Sequence, residues 1–175
     1  MHNDNAEPLS LPEGVQRVAR VLREAGYPRA PRLLDEACHT AQQAADALGV
    51  ALGQIAKSIV FRRVSDDAVV LVIASGDRRV DEKKVNAIVG KIGRADAEFV
   101  KAKTGFSIGG VSPFAHLTPA VMLIDCELYR FDEIWAAAGH PRAVVQLAPQ
   151  DLERLTGALV AGVVEPVVQV ESNAE

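Results

Sequence analysis

The chain has 175 residues, of which 49% are hydrophobic and 24% are charged, and its formal net charge at pH 7 is -4. This balance predicts one soluble globular domain, and the net charge argues against a protein that coats nucleic acid through bulk charge alone. No apolar stretch approaches the roughly 20 residues of a membrane span, and the polar residues 1–10 do not resemble a signal peptide. Two cysteines without paired spacing, Cys38 and Cys126, indicate a reducing compartment, so we expect a cytoplasmic protein.

The first third of the chain alternates between helical and extended patterns. Apolar residues at helical spacing predict a helix over residues 13–25 that ends at Gly26, and Pro28 and Pro31 predict a strand or extended connection over residues 29–39. Thr40 is a typical N-cap residue and precedes good helix formers, so a second helix is predicted to run from there to Gly49.

Two strands rich in β-branched residues are predicted next. They cover residues 54–63 and 68–75 and are joined by a Ser-Asp-Asp turn. Asp81 is predicted to cap a helix that reaches Val89, and a further short helix over residues 96–105 is closed by its glycine.

The last part of the chain contains short segments separated by glycines and prolines. Residues 121–125 predict a buried strand, and residues 131–139 (FDEIWAAAG) predict a helix closed by a glycine. Residues 143–147 predict a strand, residues 149–157 a helix with proline in its first turn, and residues 158–165 a final strand.

Several of these strands follow one another directly, which favours an α+β domain with a mixed sheet over a regular doubly wound fold. No repeat or linker divides the chain, so we expect one domain over residues 13–165. Residues 1–12 are expected to be a disordered N-terminal segment and residues 166–175 a flexible tail.

Lys57 stands out on the first of the two central strands. Strand alternation places it on one face with Ile55, Ile59 and Phe61, so that face is apolar except for the lysine. Two interpretations remain open. The side chain reaches out to water, or it lies at the edge of an apolar cavity and holds an anionic or carbonyl oxygen.

The stretch SIGGVSPFAH, residues 107–116, interrupts the apolar pattern with two adjacent glycines. Gly109 and Gly110 indicate either a tight turn or a loop whose amides point at a carbonyl or phosphate oxygen. The Ser112-Pro113 pair shifts the balance slightly towards the second interpretation, because the proline stiffens the loop and the serine offers a hydroxyl.

A serine-hydrolase interpretation of the same stretch would use Ser112 as nucleophile and His116 as base. The nucleophile elbow requires G-x-S-x-G, and the fifth position here is Phe114. Pro113 also lacks the N–H that the elbow uses as an oxyanion donor. We therefore interpret His116 as a loop or structural histidine, and an esterase using Ser112 as the weakest hypothesis.

Basic residues exceed acidic ones between Arg78 and Lys103, with eight of the former and four of the latter. Solvated helix faces explain part of this excess, and a face that contacts phosphates is the alternative. The residues that would contact phosphates in that case are Arg78, Arg79, Lys83 and Lys84. Histidines and cysteines are scattered without ligand spacing, so neither a metal site nor a cofactor is predicted.

Taken together, these residues resemble the YbaK/EbsC family, the free-standing relatives of the editing domain inserted in bacterial prolyl-tRNA synthetases. A lysine within QIAKS followed downstream by GGVSPF is a specific combination. The resemblance covers about residues 14–165 and rests on the segments 40–62, 70–85, 93–116 and 121–157.

The resemblance implies a mixed, partly barrel-like sheet flanked by helices, and a trans-editing aminoacyl-tRNA deacylase. Such an enzyme hydrolyses the ester of a mischarged tRNA, most often tRNA for proline carrying Cys, Ala or another small amino acid. The reaction is substrate-assisted, without a covalent enzyme intermediate. The implied partners are tRNA and, as a second candidate, prolyl-tRNA synthetase. The alternative is a module that captures tRNA or a synthetase without turnover.

The resemblance also assigns residues. Lys57 would contact the carbonyl or a nearby phosphate oxygen of the substrate, and Gly109 and Gly110 would supply backbone groups around the scissile ester. The substrate-binding residues would be Thr40, Ser112, Pro113, Phe114 and His116. Ala115 stands where the family commonly has glycine, and its methyl group would either narrow the pocket or shift the loop.

Overall fold

A mixed eight-stranded sheet runs through residues 10–168, the part of the chain that the computed structural model describes. Residues 1–9 and 169–175, which make up most of the termini predicted to be disordered or flexible, lie outside the described residues. The strands are β1 (Arg32–Leu33), β2 (Ile55–Arg63), β3 (Val69–Ser75), β4 (Ile92–Arg94), β5 (Ala120–Asp125), β6 (Ile134–Ala137), β7 (Ala143–Leu147) and β8 (Leu159–Ala161). The helices are α1 (Glu13–Glu24), α2 (Ala41–Leu48), α3 (Glu82–Val89), α4 (Ala97–Thr104) and α5 (Pro149–Thr156).

The strands follow the order β1-β7-β6-β2-β3-β5-β8, and β4 pairs with β2 outside this path. β2 and β3 form the central antiparallel pair, while β6 joins β2 and β5 joins β3 in parallel. No ladder within residues 10–168 joins β1 to β8, so the sheet does not close. The predicted α+β domain, with a mixed, partly barrel-like sheet flanked by helices, is confirmed.

The sheet has two buried faces, which explains why all of β3 is buried. On one face, Leu71 and Ile73 pack in a core that includes Val18 of α1. On the other face, the alternate residues Val70 and Val72 pack in a second core, where α3 contributes apolar side chains. Because both faces are covered, β3 consists of apolar residues up to its final serine rather than alternating apolar and polar ones.

The helix termini follow the predicted capping chemistry. The hydroxyl of Thr40 accepts a hydrogen bond from the N–H of Gln43 at 3.1 Å and begins α2. Asp81 begins α3 in the same way, by accepting from the N–H of Lys83 at 3.0 Å. These short helices therefore begin where the sequence predicts, since the local side chains satisfy N–H groups that have no partner within the helix.

The predicted helix over residues 131–139 is wrong. Residues Ile134–Ala137 form β6, which pairs in parallel with β2 and antiparallel with β7. A run of alanines favours a helix in isolation, but between two strands their small side chains fit a crowded core, where Ala136 and Ala138 are almost fully buried. The sequence also misses β4, and β8 covers less than the predicted residues 158–165.

Asp125, at the end of β5, connects β5 to the segment that follows β8 through a hydrogen bond of its side chain. Its carboxylate is fully buried and accepts hydrogen bonds from the N–H of Val163 at 2.9 Å and from the N–H of Glu127 at 3.1 Å. A buried carboxylate is tolerated only when such donors replace water.

Asp125→Ala should lower the free energy of unfolding by about 2–3 kcal/mol, because the buried N–H of Val163 would lose a charged acceptor. Urea denaturation measures this change. Asp35, which is exposed, provides the control, and Asp35→Ala should have little effect. Equal losses for the two variants would contradict the structural role of Asp125.

Candidate functional site

The candidate site is a gap in the sheet beside the middle of β2. β6 pairs with β2 at Ile55 and Ala56, and β4 pairs with it from Phe61 to Arg63. Both strands lie on the side of β2 opposite to β3. Among the described strands, none therefore flanks residues 57–60 on that side.

The hydrogen bonds between β2 and β3 determine which backbone groups of β2 face this gap. The C=O of Ile55 accepts from the N–H of Gly76 at 2.7 Å, so Ile55 bonds towards the β3 side. The N–H of Arg63 donates to the C=O of Ala68 at 2.9 Å, again on the β3 side. Odd-numbered residues of β2 thus bond to β3, and even-numbered residues point the other way. The N–H and C=O of Ser58 are directed into the gap.

A cavity of about 370 Å³ occupies the gap. We call its exposed and half-exposed side the mouth; it is formed by Cys38, His39, Thr40, Lys57, Ile108, Gly109 and Pro141. We call its buried side the apolar end; it is formed by Val100, Val111, Ala136 and Ala143. The apolar end belongs to the core beneath α1, whereas the mouth includes the start of α2, so the cavity passes through the sheet.

Lys57 is half-buried at the mouth, and its ammonium is held by backbone. Nζ donates a hydrogen bond to the C=O of Arg78 at 2.6 Å. Burial lowers the pKa of Lys57 from its usual value, and the negative charge of Asp77 acts in the opposite direction. Lys57 lines the cavity, and its ammonium is partly removed from water.

The turn that carries the Arg78 carbonyl is fixed by a network of charged groups. The guanidinium of Arg130 donates to Asp77 at 2.8 Å and to the hydroxyl of Ser75 at 3.0 Å. The hydrogen bond from Arg130 lowers the pKa of Asp77. This network keeps Asp77 charged near Lys57 and holds the acceptor of the lysine in place.

The two glycines have different surroundings. Gly109 lines the cavity with φ of +93°. A methyl group on it would lie 3.8 Å from Pro141 and 3.9 Å from His39, across the mouth. Gly110 is buried behind the loop, its N–H donates to the C=O of Ser107 at 3.0 Å, and a methyl group there would lie 2.8 Å from the backbone of His140. Gly110 thus permits close packing, and in this conformation its amide is already occupied.

Ser112, Pro113, Phe114 and His116 do not line the cavity. Ser112 is fully buried, and its hydroxyl accepts from the N–H of Phe114 at 3.3 Å. Nε2 of His116 lies 2.6 Å from the C=O of Ser112 rather than from its hydroxyl, and burial lowers the pKa of His116. Pro113 is buried with them. The structure therefore places the four predicted residues behind the loop, as its support.

Ala115 adopts φ of +64°, a left-handed conformation that favours glycine. Its carbonyl accepts from the guanidinium of Arg17 at 3.2 Å, and the same guanidinium lies 4.5 Å from the centre of the Phe106 ring. The methyl group of Ala115 lies outside the cavity lining. Alanine at this position therefore strains the backbone and does not narrow the cavity.

The four residues predicted to contact tRNA differ in the exposure of their side chains and in the contacts that these side chains make. The Arg78 side chain pairs with Asp77 at 3.1 Å, and the ammonium of Lys84 donates to the C=O of Val164 at 2.9 Å. The side chain of Arg79 is 84% exposed, and Lys83 is exposed as well. Arg79 lies 3.7 Å from the carboxylate of Glu165 in an exposed, weak ion pair, so Arg79 and Lys83 are the two most open to a phosphate backbone.

Thr40, Lys57 and Gly109, three residues predicted from the sequence, line one cavity in the structure. Several other residues that line this cavity were not predicted. Ser58 follows Lys57 in QIAKS, and its position in that segment was the available signal. Its Oγ is buried and has no hydrogen-bond partner among the described residues. Trp135 was hidden by the wrong helix prediction, and the mouth residue His39 carries no local motif.

Over residues 10–168, no helix combines the length and apolarity needed to cross a membrane. The same residues contain no cluster of three His, Cys, Asp or Glu side chains arranged to hold a metal ion.

Comparison with known proteins gives consistent matches. The family model for the aminoacyl-tRNA editing domain matches residues 35–155. A crystal structure of a proposed trans-editing enzyme for prolyl-tRNA synthetase is 38% identical, with a TM-score of 0.83, and covers 90% of this chain and 100% of that one. YwhH, an uncharacterised protein of Bacillus subtilis, is 36% identical over 67% of this chain and 74% of its own length. The proline–tRNA ligase of Lactobacillus acidophilus is 37% identical over 44% of this chain but only 14% of the ligase.

Ala115→Gly should stabilise the protein by up to about 1 kcal/mol, because relief of the left-handed strain exceeds the entropic cost of glycine. Thermal unfolding measures the change. Ala102→Gly, on the exposed surface of α4, is the matched control and should destabilise by about 1 kcal/mol. A loss of stability for Ala115→Gly would contradict the strain.

The pKa of Lys57 should lie below 10.5, and Asp77→Asn should lower it further by removing a nearby negative charge. The chemical shift of ¹³C-labelled Lys Cε, assigned with Lys57→Arg, follows this titration. Asp67→Asn changes an exposed carboxylate outside the cavity and should leave the titration unchanged. A raised pKa in Asp77→Asn would refute this electrostatic description.

Proposed function

Because the chain belongs to the aminoacyl-tRNA editing domain family, we propose that it is a trans-editing deacylase that hydrolyses the ester of a mischarged tRNA. The proposed substrate is tRNA for proline carrying Cys, Ala or another small amino acid. Editing of this kind is needed because one missing methylene changes binding by only about 1–3 kcal/mol, so a synthetase pocket cannot strongly exclude a smaller amino acid.

The observation that carries the proposal is the polarity of the cavity. Its mouth is lined by the half-buried Lys57 and by Gly109, and its apolar end is built from Val and Ala side chains. An amino-acid side chain would occupy the apolar end, while the ester would lie beside the ammonium. The terminal adenosine would remain outside, against Ile108, whose side chain is exposed.

The chemistry assigned to Lys57 is stabilisation of the negative charge that develops on the acyl oxygen. An ammonium has three donors, and the bond to the Arg78 carbonyl leaves the others for substrate. Partial removal from water strengthens this interaction, since the ammonium does not have to exchange a full hydration shell. The same burial lowers the pKa of Lys57 from its usual value.

Water, rather than a side chain of the protein, is the proposed nucleophile. Ser112 is buried outside the cavity. Cys38 lies at the mouth, but burial raises the pKa of its thiol, which keeps it protonated at neutral pH. An aminoacyl ester is already activated, and the neighbouring ribose hydroxyl can position the water. Binding and orientation then supply the catalysis.

Arg79 and Lys83 are the proposed contacts to the tRNA backbone, because both are exposed, whereas the ammonium of Lys84, although exposed, donates to the C=O of Val164. Prolyl-tRNA synthetase is a second proposed partner, and the cytoplasm the proposed location. The alternative function is a module that holds the charged acceptor end without hydrolysis. The same ammonium and loop would serve it, so turnover is the property that separates the two.

Lys57→Ala should reduce deacylation of Ala-, Cys- or Ser-charged tRNA for proline by about 10²–10³-fold, the usual effect of removing one oxyanion donor. The assay follows loss of radiolabelled amino acid from the tRNA under single-turnover conditions. Lys91, exposed and outside the cavity lining, provides the control, and Lys91→Ala should retain full activity.

Binding of charged tRNA without any loss of the amino acid by the wild type would favour the capture module. Ser112→Ala should retain turnover, because its hydroxyl lies outside the cavity. Abolished turnover together with unchanged folding in that variant would support the esterase hypothesis instead.

A further inference from the structure

We infer that the gap centred on Ser58 is a subsite for the α-amino group of the bound amino acid, and that a free α-amino group is required for tight binding. The inference rests on the proposed function, since it assigns one part of the proposed substrate to one part of the cavity. It makes the protein selective for unmodified aminoacyl esters over N-acylated ones and over hydroxyacyl ones.

The first observation is the hydroxyl of Ser58. Its Oγ is buried, lacks a hydrogen-bond partner within residues 10–168, and belongs to a residue that lines the cavity. Buried polar side chains are paired in the large majority of cases, and an unpaired one costs stability. A ligand with hydrogen-bond donors would satisfy this oxygen.

The second observation is the backbone of the same residue. The alternation of the β2–β3 ladder directs the C=O of Ser58 into the gap, where the ladders with β6 and β4 end at Ala56 and Phe61. The carbonyl and the hydroxyl are both acceptors at one point of the cavity. An amino group carries two or three N–H donors and matches this pair, whereas an N-acyl amide carries one.

The third observation is the order of groups along β2. Lys57 lies at the mouth, Ser58 follows it, and the side chain of Ser58 points to the face of the sheet that holds the apolar end. In an aminoacyl ester the α-carbon joins the acyl carbonyl, the amino group and the side chain. With the carbonyl at Lys57 and the side chain in the apolar end, the amino group falls beside Ser58.

The charge of the cavity agrees with recognition by neutral acceptors. None of the residues that line it within the described chain is Asp or Glu. The amino group is therefore selected by hydrogen-bond count and fit rather than by an ion pair. A site built to bind an N–H group rejects analogues that lack it, because its acceptors then stay unpaired.

The test uses stable analogues in which 3′-amino-3′-deoxyadenosine is joined through an amide to alanine, to N-acetylalanine or to lactic acid. Isothermal titration calorimetry should show that the alanyl analogue binds at least about tenfold more tightly than the other two, as expected for one lost hydrogen bond with an unpaired buried partner. Equal affinities for the three analogues would overturn the inference.

Ser58→Ala should weaken binding of the alanyl analogue by about tenfold and leave the lactyl analogue nearly unchanged. Its melting temperature should stay the same or rise, because an unpaired hydroxyl is removed. Ser65→Ala, in the exposed turn between β2 and β3, should change neither affinity. Equal weakening of the alanyl and lactyl analogues in Ser58→Ala would contradict a contact with the amino group.

A parallel assay separates this inference from the proposed function. Alanyl-tRNA is compared with lactyl-tRNA, made from it by nitrous acid, and each rate is divided by the uncatalysed one. If both esters are hydrolysed with equal acceleration, the inferred subsite for the amino group is overturned, while the proposed deacylase function is supported. Selective binding of the alanyl analogue without turnover of any tRNA would support the subsite and contradict the deacylase.

Discussion

The site depends on a single constraint in the sheet: β2 has a full neighbour on one side and two short ones on the other. β3 pairs along the length of β2, whereas β6 covers only its beginning and β4 only its end. A strand left bare at its centre exposes backbone groups that must find partners. The cavity lies beside this bare stretch, which no strand among residues 10–168 flanks on the side away from β3, so the same opening makes a place for a ligand.

The groups around this opening are held in place by residues outside the cavity rather than by contacts with one another. The Lys57 ammonium is held by the Arg78 carbonyl, and the turn that bears the carbonyl is held by Arg130. On the other side, Arg17 of α1 holds the carbonyl of Ala115 in the loop that follows Gly109. The Lys57 ammonium and the loop that follows Gly109 thus each have a supporting contact outside the cavity, which fixes the geometry of the site in advance.

Local chemistry explains what the sequence predicted well. Caps such as Thr40 and Asp81, and the branched residues of β2 and β3, determine structure within a few residues of themselves. The helix predicted over residues 131–139 is wrong because the pairing partners of that segment are distant in the chain. For the same reason the cavity could be predicted only through Thr40, Lys57 and Gly109, while the roles of Ser58 and Trp135 depend on where the ladders of β2 end.

Closely packed glycines around the loop limit which side chains their positions can carry. Gly110 lies against the backbone of His140, and Gly14 of α1 lies against Gly139, where a methyl group would approach a carbonyl oxygen within 2.4 Å. Any side chain at these positions would push apart the loop, α1 and the turn after β6. Ala136 and Ala143 line the apolar end of the cavity without such a constraint from glycine packing, so single exchanges there would change the shape of the cavity and leave the loop in place.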